Sequence, residues 1–173
     1  MAFKLCGGAT GGSAAGDSAT GGSATGGTCP PAAPPNQTQD SVEGTVFDFR
    51  RPRELGRSID ELPATKGYDH CFVIRGEVGR LRPAARVVEP ESGRLMAVAT
   101  TLPGMQLYTA NHLDGSESTG GLTSHQAFCM ETQMFPDSPN QPSFPSTLVR
   151  PGETWRATTV YHFGVGESTD ASP

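Results

Sequence analysis

The 173-residue chain contains no apolar run near the roughly 20 residues that a membrane-spanning helix needs. Its opening residues hold one Lys, then Leu5, Cys6 and glycines, which leaves no apolar core for a signal peptide. Basic clusters are missing too. The densest basic piece, "RRPRELGR", is broken by Pro52 and by Glu54-Leu55, and the formal net charge is −5. An acidic chain attracts neither nucleic acid nor an anionic membrane surface, so both are excluded as expected partners. Cysteines are few and scattered: Cys6, Cys29, Cys71 and Cys129 form no C-x-x-C pair. Neither a disulfide framework nor a metal framework is expected, and the thiols read as reduced in a cytosolic, cytoplasmic chain. Cys71 and Cys129 lie among large apolar residues and read as small core hydrophobes. His70, His112, His125 and His162 have no mutual i,i+4 or Cys/His spacing, so each reads as a structural or surface histidine and no metal is expected.

Bulky side chains are absent from Gly7 to Thr28, where near-repeats such as "GGSAAGDSATGGSATGGT" consist of Gly, Ala, Ser and Thr with one Asp. Ordering such a stretch costs backbone entropy with little apolar surface to bury in return. "CPPAAPPNQTQD" follows as a semi-extended proline-rich spacer. Residues 1–40 are therefore expected to be a disordered leader, residues 41–165 the folded portion, and residues 166–173 a disordered tail. The folded portion is long enough for one modest core.

Helical signals are lacking as well; no segment combines a 3.6-residue period with caps. After residue 40 the composition is that of a β protein. "SVEGTVFDFR", "HCFVIRG" and "MQLYTAN" read as strands, and "ARVVEPESGRLMAVATT" as a hairpin turning at Pro90-Glu91-Ser92-Gly93. "TLVRPGETWRATTVYHF" reads as a second hairpin turning at Pro151-Gly152. In its second arm Trp155, Ala157, Thr159, Tyr161 and Phe163 share a face, with Trp155 expected to pack. Short strands between Gly/Pro turns indicate an all-β antiparallel sandwich or barrel.

"FCMETQMF" places one carboxylate inside an apolar run. A buried carboxylate is costly unless paired. A period of two puts Phe128, Met130, Thr132 and Met134 on one side, and Cys129, Glu131, Gln133 and Phe135 on the other. A polar pair beside an aromatic ring suits a sugar, and it equally suits an ordinary solvated sheet face.

The order of four segments adds to this reading. "VEGTVFDFRRPRELG", "KGYDHCFVI", "SGRLMAVATTLPGMQLYTANHLDG" and "HQAFCMETQMFPDSPNQPSFPSTLVRPGETWRATTVYHF" resemble the C-terminal half of the galactose mutarotase (aldose 1-epimerase) family over about residues 41–163. The resemblance implies an antiparallel β-sandwich of the supersandwich type, here truncated at the N-terminal side. It implies Glu131, in "ETQ", as the general base, with Asp69 of "YDHCF" and Gln106 of "PGMQLYT" binding an aldohexose such as galactose or glucose. Anomers would interconvert by acid–base ring opening, with no metal or nucleotide cofactor. The family's acid histidine and sugar-binding arginine belong to an N-terminal half, and residues 1–40 hold no His or Arg. The chain is therefore expected to have little or no catalysis alone, with His112 or His125 as candidate substitutes for the acid. Met105, Leu107, Met130 and Met134 would form apolar surface exposed by the missing half. The alternatives are a sugar-binding module without turnover, a non-functional fragment, or a hexose-6-phosphate epimerase using Arg75, Arg80 and Arg82.

Overall fold

The computed structural model describes residues 4–7 and 39–166. Residues 1–3, 8–38 and 167–173, most of the expected leader and tail, lie outside the described residues. Among the described residues eight strands run in chain order: β1 (Lys4–Gly7), β2 (Arg53–Glu54), β3 (Asp69–Val73), β4 (Arg82–Val88), β5 (Arg94–Thr100), β6 (Gly104–Tyr108), β7 (Cys129–Gln133) and β8 (Thr159–Val165). Three short 3₁₀ turns, Leu55–Glu61, Glu117–Thr119 and Ser138–Asn140, are the helical elements among the described residues. One sheet has the order β2-β1-β4-β5-β8 and the other β3-β6-β7, with every pairing antiparallel. No helix among the described residues is long and apolar enough to cross a membrane.

The two sheets share one core. Phe72, Met105, Leu107 and Met130 from the three-stranded sheet meet Ala85, Val87 and Val98 from the five-stranded sheet. Phe49 and Tyr68 join with ring centroids 5.3 Å apart in an edge-to-face arrangement. The sheets are also linked by polar groups: the Thr132 and Thr159 hydroxyls lie 2.6 Å apart, and the Tyr161 hydroxyl donates to Met130 O at 3.1 Å. This is the all-β antiparallel architecture that the strand pattern indicates. The β4–β5 hairpin turns where the sequence places it, with Glu89 accepting from Glu91 N and Ser92 N at 2.9 and 2.7 Å.

Several elements differ from the sequence reading. Lys4–Gly7, assigned there to the leader, is strand β1, because its backbone finds ladder partners on both sides, in β4 and β2. "SVEGTVFDFR" is a run of turns rather than a strand. The Thr45 hydroxyl donates to Val42 O at 2.7 Å and Asp48 accepts from Arg50 N at 3.2 Å, so local bonds replace a ladder while Val42 and Phe49 still reach the core. Of the second expected hairpin only the later arm forms, from Thr159; the earlier arm spends its donors locally, Leu148 N on Ser146 Oγ at 3.2 Å and Arg150 N on Glu153 Oε2 at 2.8 Å. Trp155 is consequently 54% exposed rather than packed.

The expected exposed apolar surface is also elsewhere. Met105, Leu107 and Met130 are buried and Met134 is half-buried. Exposed apolar side chains instead mark β8, where Phe163 and Val165 are 68% and 79% exposed.

Candidate functional site

Residues facing each other across the three-stranded sheet form rows. Asp69, Tyr108 and Cys129 make one row, Cys71, Gln106 and Glu131 the next, and Val73, Gly104 and Gln133 a third. Because side chains alternate, these rows share one face, and the rows His70-Leu107-Met130 and Phe72-Met105-Thr132 share the core face. That explains the lone carboxylate in "FCMETQMF". Met130 is buried and Glu131 exposed, one residue apart on β7.

The outer face is a groove of about 390 Å³ lined by Asp69, Gln106, Tyr108, His112, Glu131, Gln133 and Pro136. All three sequence-predicted site residues, Asp69, Gln106 and Glu131, therefore meet in one place. Gln106 and Glu131 are directly opposed, and Gln106 Nε2 donates to Asp69 Oδ1 at 2.7 Å, a diagonal cross-strand contact. The bond fixes the amide orientation, leaving Gln106 Oε1 as an acceptor toward the groove.

A buried polar network holds the rim. Thr109 Oγ1 donates to Asn111 Oδ1 at 2.7 Å, and Asn111 Nδ2 donates to Thr65 O and Tyr68 O at 2.8 and 3.0 Å. Tyr68 N donates to Thr109 Oγ1 at 2.9 Å, which ties the approach to Asp69 to the exit of β6. Gly67 makes this possible. Its φ is +138°, and a Cβ there would lie 2.5 Å from Asn111 Oδ1. At the other end, Gly104 lets Phe135 and Cys71 approach the sheet, since an added Cβ would stand 2.9 Å from Cys71 Sγ and 3.1 Å from the Phe135 ring.

The electrostatics follow from burial. Desolvation pushes the His70 imidazole below its ordinary value, against the opposing pull of Asp69, and His70 Nδ1 accepts from Asp69 N at 2.9 Å. His70 thus orients Asp69 from the core side as a neutral ring. Desolvation raises the Cys71 thiol to about 11. Cys129 is exposed rather than a core hydrophobe, because it shares Glu131's face; partial desolvation and then the Glu131 charge raise its thiol. Among the described residues no group of three or more His, Cys, Asp or Glu side chains is arranged to hold a metal ion.

Tyr108, His112, Gln133 and Pro136 also line the groove and were not singled out as binding residues from sequence, although alternation on β7 already paired Gln133 with Glu131. His112 was proposed only as one of two substitutes for the acid. The structure separates those two. His112 lines the groove, its backbone N donating to Tyr108 Oη at 3.3 Å, while His125 Nε2 lies 2.7 Å from Lys66 O in a different cavity with Ala127 and Phe128. Arg75, Arg80 and Arg82 are absent from the groove lining. Arg80 pairs with Glu77 at 2.9 Å, and Arg82 is buried among backbone carbonyls.

Fold and groove together define a class: two antiparallel sheets around one core, with carboxylate and amide side chains set in rows on the outer face of the smaller sheet. Comparison with known proteins makes this specific. The family model for aldose 1-epimerase matches residues 29–162. Galactose mutarotase from Bos taurus is 46% identical over 128 residues, covering 72% of this chain and 37% of the relative. Galactose mutarotase from Homo sapiens is 43% identical over 127 residues, covering 72% and 36%. Aldose 1-epimerase from Escherichia coli (strain K12) is 34% identical over 136 residues, covering 75% and 39%. The solved GalM/aldose epimerase homologue from C. elegans superposes with a TM-score of 0.74 over 95% of this chain and 46% of its own, at 23% identity, a likeness of fold. The chain belongs to the aldose 1-epimerase family, and it spans well under half the length of the curated relatives it matches.

Proposed function

We propose that the groove on the three-stranded sheet binds an aldohexose such as galactose or glucose and that the chain carries the base side of an aldose 1-epimerase site. The observation that carries this reading is the convergence of Asp69, Gln106 and Glu131 in one groove, with Asp69 and Gln106 already bonded at 2.7 Å. Asp69 and Gln106 hold sugar hydroxyls. Glu131 takes the proton from the C1 hydroxyl as the ring C–O bond breaks, an imidazolium delivers a proton to the ring oxygen, and reclosure on the other face of the aldehyde gives the other anomer. His112 is the histidine among the described residues that lines this groove, and on this reading it supplies that proton. A cytosolic location accompanies the proposal and is supported by the unpaired thiols of Cys71 and Cys129.

The second reading is sugar binding without turnover. It is favoured by the exposure of Glu131. Polarimetry of freshly dissolved α-D-galactose separates the two. Turnover predicts anomer conversion above the buffer rate, falling about 10²–10⁴-fold in Glu131→Gln. A wild-type rate equal to buffer, with galactose still perturbing groove resonances by NMR, selects the binding reading. Neither effect, in folded protein, refutes both.

A further inference from the structure

Away from the sugar groove, a larger groove of about 890 Å³ is walled by the turns of residues 43–53, by the 3₁₀ turn Leu55–Glu61 and by Arg75 beyond the end of β3. Five arginines line it: Arg50, Arg51, Arg53, Arg57 and Arg75. Three carboxylates, Glu43, Asp48 and Glu61, stand against them, so the lining is net cationic in a chain of net charge −5.

The arginines divide by role. Arg50 is held by Asp48 in a bidentate pair, Nε to Oδ1 at 2.8 Å and Nη2 to Oδ2 at 2.7 Å, with Glu43 Oε1 at 3.4 Å. The Asp48 carboxyl is consequently held well below its ordinary range, chiefly by the Arg50 hydrogen bond. Arg53 is fixed by Thr45 O, Val46 O and the Ser58 hydroxyl, and its buried Nε has no hydrogen-bond partner among the described residues. These two side chains build the wall. The exposed Arg51, Arg57 and Arg75 make no side-chain ion pair or hydrogen bond among the described residues, and they leave unfilled guanidinium forks facing one space.

We propose that this groove is a binding site for a small organic phosphate, recognised by the forks of Arg51, Arg57 and Arg75. Guanidinium matches phosphate oxygens in bidentate fashion, and such bonds to charged groups are shorter and stronger than neutral ones. The volume falls in the ordinary range for a small-molecule site. A phosphate ester also offsets the excess positive charge that the three local carboxylates leave standing. The site lies apart from Asp69, Gln106 and Glu131, sharing no lining residue with their groove, so it does not depend on the sugar reading.

The test is titration of the full chain with inorganic pyrophosphate at constant ionic strength, followed by calorimetry and by ¹H–¹⁵N NMR. Saturable binding is expected, with shifts confined to residues 43–61 and 75. Arg51→Ala with Arg75→Ala should weaken it by about tenfold or more, and Arg51→Lys with Arg75→Lys should restore only part, since an ammonium cannot fork. The exposed positions of these arginines keep the variants folded, and an unchanged far-UV spectrum checks this. Titrating a hexose 6-phosphate and a nucleoside diphosphate in parallel identifies which phosphate carrier the groove accepts. Pyrophosphate binding that is absent, that is equal in wild type and the double alanine variant, or that matches chloride at the same ionic strength overturns the proposal.

Discussion

Replacing Arg82 by Met tests how the groove-bearing sheet is attached to the rest of the fold. Arg82 belongs to β4 in the larger sheet, yet its guanidinium also binds carbonyls just past the end of β3 and just before β6 in the smaller one. Nε donates to Arg75 O at 2.8 Å, Nη2 to Leu102 O at 2.9 Å and Ile74 O at 3.4 Å, and Nη1 to Arg80 O and Thr100 O at 3.2 Å each. No acidic partner among the described residues contributes to this arrangement, and desolvation lowers the pKa of Arg82 from its ordinary value. The acceptors Thr100 O and Ile74 O are in buried surroundings, where water cannot replace the lost donor, whereas the other three sit at partly buried positions. A stranded buried acceptor costs about 1–3 kcal/mol, and a net hydrogen bond from a charged donor is worth about 1.5–3 kcal/mol. Two stranded carbonyls and three partly rehydrated ones give an expected loss of about 3–5 kcal/mol, a large part of a domain's usual stability of about 5–15 kcal/mol. Urea denaturation followed by far-UV circular dichroism measures it; Trp155 fluorescence is a poor reporter because that ring is already exposed. Arg82→Lys should recover less than half, since one ammonium cannot span five carbonyls. A loss under about 1 kcal/mol for Arg82→Met would show that water rehydrates all five acceptors, and the view of Arg82 as the clamp between sheets would be abandoned.

Two further predictions follow from the thiols and from His70. In a Cys6→Ser, Cys29→Ser background at mild alkaline pH, Ellman's reagent should titrate one thiol, Cys129, and reach Cys71 only in denaturant, because burial pushes Cys71 to about 11; two equally fast thiols would contradict the burial of Cys71. Burial and the Asp69 N–H bond both favour neutral His70, so its folded pKa is depressed below the unfolded value. The unfolded chain then binds more protons just below about pH 6.5, and stability should decline as pH falls from there toward the folded pKa. Thermal melts should show this decline in wild type and a flatter profile in His70→Asn; identical profiles would mean that His70 titrates normally.

Elements with alternation and clean turns were legible in the sequence. The β4–β5 hairpin follows from Pro90–Gly93, and the two faces of β7 from a period of two. The site residues Asp69, Gln106 and Glu131 came from the family resemblance; alternation alone supplied only the face that Glu131 shares with Gln133, and register then sets Gln106 opposite Glu131. What failed depended on contacts distant in sequence or on local bonds that outcompete a ladder. Strand β1 needs β4, some eighty residues later, to exist. The turns at residues 41–50 owe their shape to Thr45 and Asp48 side chains that a strand propensity cannot weigh. Cys129 looked like core because its neighbours are apolar, though parity alone places it beside Glu131. Arg82 counted in the sequence only as a cation available for a sugar phosphate, because its five backbone acceptors come together only in the fold.

The strictest consequence concerns β7 itself. Within Cys129–Gln133 the odd positions face the groove and the even positions face the core. Chemistry and packing are interleaved in five residues, and neither can be shifted without the other. Inserting one residue just before Cys129 would bring Met130 and Thr132 to the groove and drive Glu131 into the apolar interior, destroying site and fold in a single step. The β7 side chains can therefore be exchanged one at a time, whereas a change of length is accommodated only in the loops on either side.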